Sequence, residues 1–182
     1  MKKEAQAPDG SIKDNPNRDL RIEKVVVNIG VGEAGEKLNR AVKVIELLTD
    51  KTPTQTISRT TNRDLGIRAG MPIGCKVTLR KEEAPDFLKK AFWVKENKIM
   101  GYSFDPEGNF SFGISDYTDF QGMKYDPDIG IFGLDISVVL ARAGKRVARR
   151  KRAPGHIPGH QRITRKEAKE WVSRTFEVEV LE

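Results

Sequence analysis

A single cysteine, Cys75, leaves no intramolecular disulfide and no multi-cysteine zinc site to consider. Its neighbours alternate in polarity and put it on the apolar side of a strand, where a cysteine acts as a small core residue. No run of eighteen apolar residues occurs, and no hydrophobic leader core is seen, so the expected compartment is the reducing cytoplasm. Histidine is scarce, only His156 and His160, and aromatic residues make up 7%. Acid is missing from one long stretch. Between Ile136 and Lys166 there are ten Lys or Arg and no Asp or Glu, so the other 151 residues sum to about −3 of a net +7. The positive charge is therefore a local device, of the kind that meets a polyanion.

What is present suffices for one sheet-and-helix core. Hydrophobic residues make up 37% of the chain and charged ones 32%. Residues 1–18 mix charges with Pro8, Pro16, Asn15 and Asn17, and only Ile12 is branched. They are expected to form a disordered arm, because so little apolar surface cannot offset the entropy of ordering. Residues 19–182 are expected to form a single α+β domain with a basic loop at 142–163.

The most informative stretch is Gly66 to Arg80. A Gly-punctuated basic loop leads to Pro72, after which Ile73, Cys75, Val77 and Leu79 alternate with Gly74, Lys76, Thr78 and Arg80. A period of two is a strand with unlike faces. Residues 21–31 form an earlier strand, with Val25, Val27 and Ile29 against Lys24, Val26 and Asn28. Between these, Glu36 to Asp50 is an amphipathic helix carrying Leu38, Ala41, Val42, Ile45 and Leu48. Thr54 to Thr60 reads as a Thr-rich strand.

Beyond the basic strand, Pro85 suits the first turn of a helix bearing Phe87, Leu88, Ala91 and Phe92. A turn at 105–108 feeds a strand over 109–115, where Phe110, Phe112 and Ile114 alternate with Asn109, Ser111 and Gly113. Residues 116–132 read as irregular and acidic. Leu134 to Ala141 is the last core strand, and Arg142 to His160 an extended, solvated loop. Thr164 and Glu167 match a capping box, and 176–180 reads as a short edge strand.

This order predicts an α+β fold: a mainly antiparallel sheet, helices packed on one face, and a split βαβ core of ferredoxin or RNA-recognition type. The other face stays open. Its polar residues are Lys24, Asn28, Gln55 or Thr56, Lys76, Thr78, Arg80, Asn109 and Ser111. Without an aromatic pair this face is unsuited to stacking single-stranded bases, so folded RNA recognised by shape is the expected ligand. The run Arg142, Lys145, Arg146, Arg149, Arg150, Lys151 and Arg152 has no acid beside it and is expected to contact nucleic acid. It has no accompanying apolar stripe, which disfavours a membrane.

Other motifs carry less. Gly30 to Gly35 is a complete G-x-G-x-x-G between a strand and a helix. On its own it suggests a dinucleotide-binding enzyme. Against that, Glu33 and Glu36 stand where a pyrophosphate would lie, and the next strand ends without a ribose-binding acid. His156 and His160 are four apart, but two Pro and two Gly in 154–160 preclude the helix that would make them chelate, so no metal site is expected. No catalytic constellation, and no cofactor, is suggested.

Several blocks then become recognisable in order: VNIGVG at 27–32, Pro53 to Asn62, GMPIGCKVTLR at 70–80, SFDPEGNFSFG at 103–113 and GLDI at 133–136. Together they resemble the universal large-subunit ribosomal protein L-five family, in its archaeal and eukaryotic branch. The resemblance implies a non-catalytic protein of the central protuberance that binds 5S rRNA and docks it to large-subunit rRNA. It also implies a mobile loop over Arg59 to Gly70, with Arg59, Arg63 and Arg68 toward P-site tRNA or rRNA, and contact with a small-subunit head protein. By position it carries Asn28, Gln55, Lys76 and Thr78 to the 5S rRNA side. The rival readings are the dinucleotide enzyme and a free RNA-binding regulator.

Overall fold

The computed structural model describes residues 18–181; the arm predicted over 1–18 lies outside these but for its last residue. Five strands form one sheet in the order β2-β3-β1-β6-β5: β1 (Arg21–Gly30), β2 (Thr54–Ile57), β3 (Pro72–Leu79), β5 (Phe110–Ile114) and β6 (Leu134–Ala141). Every neighbouring pair in it is antiparallel. β1 and β2 therefore run in the same direction with β3 between them, joined through helix α1 (Glu36–Thr49). That is the split βαβ unit. β3 and β6 likewise flank β1, joined by a path containing α2 (Glu83–Val94). The predicted α+β architecture is the one observed.

Period-two burial builds the core. Val25, Val27 and Ile29 on β1, Cys75, Val77 and Leu79 on β3, and Leu134, Ile136, Val138 and Leu140 on β6 are all buried. Against them α1 sets Leu38, Ala41, Val44, Ile45 and Leu48, and α2 sets Ala84, Phe87, Leu88, Ala91 and Phe92. Val44, not Val42, completes the α1 stripe; Val42 is only half-buried. α1 ends at Asp50, whose left-handed backbone (φ 52°) lets its N–H reach the carbonyl of Glu46.

Four local expectations are corrected. β2 stops at Ile57, which pairs with Pro72, the first residue of β3, after a register shift at Thr56/Ile57. The 142–160 segment is not simply extended: it contains a one-turn helix α3 (Arg146–Arg149) and a 3-10 turn at Gly159–Gln161. Helix α4 (Arg165–Phe176) runs on to Phe176, whose ring packs edge-on against Phe92 at 5.1 Å. Finally, β7 (Glu179–Leu181) joins no edge of the main sheet. It pairs in parallel with β4 (Lys98–Met100), a three-residue strand too short to show a period.

α4 starts as its sequence dictates. The Thr164 hydroxyl accepts from the Glu167 N–H at 3.4 Å, and the Glu167 carboxylate accepts from the Thr164 N–H at 3.0 Å. Helices α1, α2 and α4 set their buried residues into the core on one side of the sheet. On the other side, the alternate set on β1, β3 and β6 from Lys24 onward is open or half-open except at Gly74 and, at the far end of β6, Ala141.

Candidate nucleic-acid interface

The pairing register turns the open face into rows. Thr54, Lys76, Asn28, Asp135 and Gly113 lie side by side across all five strands. The next row is Thr78, Val26, Ser137 and Ser111, and Lys24 follows opposite Val139. Lys76, Thr78 and Arg80 are exposed, Lys24 and Asn28 half-buried. Gly74 keeps its corner flat, since a Cβ there would sit 2.8 Å from the Ile29 carbonyl and 2.9 Å from the Thr56 hydroxyl. Cations, hydroxyls, an amide and one carboxylate thus alternate on a surface with no aromatic ring. Asn109 is spent locally: its amide donates to Asp105 at 2.9 Å.

Gln55 does not join this face. It pairs opposite Cys75, so its side chain has the parity of the helix-covered side, while Thr54 and Thr56 carry the open side of β2. The physical reason is that β2 is a polar edge strand, where no apolar set fixes the phase of the alternation.

Cys75 itself is fully buried, and burial pushes its thiol up to about 11. With so little thiolate and no access it serves packing alone.

The Arg59 to Gly70 loop is laddered by backbone bonds. Ser58 and Gly70 pair through N–H to carbonyl at 2.9 Å, and Asn62 and Ile67 exchange bonds of 2.9 and 3.0 Å. Arg59, Arg63 and Arg68 are all exposed around it, with Leu65 at its tip. It is a projecting, cation-bearing hairpin.

The basic segment proves to have acids after all, supplied from distant parts of the chain. Arg142 donates to the Glu167 carboxylate at 2.9 Å and to the carbonyls of Gln161 and Arg162 at 3.2 and 3.4 Å. Only 12% of its side chain is exposed, so it pins the end of β6 to the start of α4. Lys145 and Arg149 both meet Glu23. Arg146, Arg150, Lys151 and Arg152 are exposed and, among the described residues, meet no carboxylate. Between the segment and the sheet end lies an open groove of about 1210 Å³, lined by Arg142, Lys145, Arg149, His156, His160 and Arg162 among others. His156 and His160 share that groove with these cations and with Glu107.

Glu167 carries a pH signature. Burial raises its carboxyl, but the Thr164 N–H and the Arg142 guanidinium together outweigh that and hold it below the usual carboxylate range. A lowered folded value stabilises above the unfolded pKa of about 4.3 and is lost as pH falls through the folded one. Glu167→Gln should therefore cost about 0.2–1 kcal/mol at pH 7, the range for a solvent-exposed pair. Urea melts should show that gap closing below about pH 4; a gap unchanged from pH 7 to pH 3 would deny the charge any role.

The Gly30 to Gly35 loop is a turn with a structural task. The N–H groups of Val31 and Gly32, which a phosphate cradle would leave free, both donate to the Ile73 carbonyl, at 3.0 and 2.8 Å. Positive φ at Gly32 and Gly35 makes the reversal into α1 possible. β2, moreover, is separated from β1 by β3, so the loop does not head the adjacent parallel pair of a dinucleotide fold.

A flat polar face, a projecting cationic hairpin and a basic groove are surfaces of the kind carried by the class of proteins built into nucleic-acid assemblies. The comparisons narrow it. Residues 15–68 match the family model described as Ribosomal protein L5, and residues 72–171 match the model of the C-terminus of the same ribosomal family. Proteins named Large ribosomal subunit protein uL5 are similar over nearly their whole length. That of Thermoplasma volcanium is 54% identical over 92% of this chain and 99% of its own. That of Thermoplasma acidophilum is 52% identical over the same shares, and that of Sulfurisphaera tokodaii 48% over 92% and 96%. The chain belongs to the L5 family of ribosomal proteins. It is accordingly a non-enzymatic constituent of the large ribosomal subunit, at work in the cytoplasmic ribosome. The main sheet draws β1 and β2 from the first matched stretch and β3, β5 and β6 from the second.

Proposed function

We propose that this protein binds 5S rRNA on its open sheet face and docks it to large-subunit rRNA in the central protuberance. The observation that supports this best is the Thr54–Lys76–Asn28–Asp135 row. Donors and acceptors stand together there at a flat surface, and a folded RNA offers 2′-hydroxyls and phosphates to match them. The basic segment supplies the sequence-independent attraction, and the sheet supplies register and discrimination. The hairpin with Arg59, Arg63 and Arg68 reaches toward the elbow of P-site tRNA. The acidic stretch from Asp116 to Asp128 faces a basic small-subunit head protein. Residues 19–181 act as one unit.

Crosslinking of assembled large subunits, followed by sequencing of the attached RNA, tests the assignment. Peptides from β1 and β3 should carry 5S rRNA, and the 142–163 segment should carry rRNA as well. Crosslinks from β1 and β3 to other RNA alone would remove the sheet from the 5S rRNA contact.

A further inference from the structure

β1 carries one irregularity, and it falls on an acid. Ile22 pairs with Leu140 and Lys24 with Val139, so Glu23 is the extra residue of a bulge. In an unbroken strand it would share the parity of Val25 and Val27 and point into the core. The bulge gives it a direction of its own. Lys145 Nζ lies 3.6 Å from one oxygen of its carboxylate, and Arg149 meets the other. Its backbone carbonyl accepts from the Arg80 guanidinium at 3.4 Å. One residue thus touches cations from the end of β3 and from both ends of the α3 turn.

α3 needs such an anchor. It is four residues long, buries none of them and lacks a side-chain cap, so it cannot hold itself in water. We infer that Glu23 is a positioning residue, fixing the basic turn against the Lys24–Arg80 corner so that the two cationic surfaces meet RNA as one. This rests on the RNA reading above. The order of exposure carries it: 19% for the Glu23 side chain, 32% for Lys145 and 52% for Arg149. The carboxylate lies beneath its partners, which leaves their outer sides to phosphates. A masking acid would lie above them.

The sign of the expected effect runs against net charge. Binding of the full chain to a 5S rRNA transcript, followed by filter retention across a salt series, compares wild type with Glu23→Gln. The variant should bind about tenfold more weakly although it loses a negative charge, and its salt slope should fall by about 1 to 2, as two phosphate contacts lose their alignment. In a background where Lys145 and Arg149 are both changed to Gln, the same substitution should have no effect. Equal or tighter binding by Glu23→Gln overturns the inference, as does an equal loss in both backgrounds. Wild-type protein that shows no salt-dependent binding overturns the RNA reading and this inference with it, which the variant lanes cannot mimic.

Discussion

Changing Lys76 and Thr78 together to Ala should abolish selective binding of 5S rRNA while leaving the fold intact. Both side chains are exposed on the open face, and neither touches the core. Nothing is lost from packing, so the melting temperature should stay close to that of wild type. In the proposed complex, however, each loses a contact that the RNA cannot replace with water. A hydrogen bond lost from a desolvated interface costs about 1–3 kcal/mol. Two such losses lower the preference for 5S rRNA over an unrelated RNA of equal length by about a hundredfold or more. Competition gel shifts measure this ratio directly. Unchanged selectivity in a folded double variant would falsify the sheet-face assignment.

The second large effect concerns quantity of binding, not choice. Replacing Arg150, Lys151 and Arg152 by Ser removes three exposed cations and spares the Glu23 contact with Arg149. Each phosphate contact contributes about 0.9 to the slope of log K against log salt on duplex nucleic acid. The slope should therefore drop by about 2 to 3, and affinity at 0.1 M salt by roughly a hundredfold to a thousandfold, alike for every RNA. The two substitution sets separate the two roles: one changes the ratio between RNAs, the other lowers all of them together. A salt slope that does not move would make this run an ordinary solvated face.

How far the residues announced this depended on the physics at each position. The open face was legible because β1 from Lys24 onward, β3 from Cys75 onward and β6 up to Leu140 alternate, and burial of one side fixes the direction of the other. Lys76 and Thr78 are therefore found where alternation places them. Gln55 was not legible, since β2 is polar on both faces and a slip of one residue costs it no buried surface. The basic segment was half legible. Its cations are plain in the sequence, but the acids that hold it, Glu23 and Glu167, come from 126 residues away in one case and 25 in the other. Glu23 is the harder of the two to foresee, because only a bulge, invisible to any periodic pattern, turns it toward α3. The capping box at Thr164 was readable as a local motif, whereas its second use as a seat for Arg142 required the fold.

The position of β1 at the middle of the sheet has a temporal side. Among the described residues it is the first strand to be synthesised, and one of its two neighbours, β3, follows after about forty residues; the other, β6, begins only at Leu134. At about 5–20 residues per second, one flank of β1 waits several seconds for its mate. During that interval the nascent chain shows bare amides and carbonyls along a Val-rich strand, the kind of edge that recruits wrong partners. The order of its elements thus leaves one side of its central strand unpaired until most of the chain has been made.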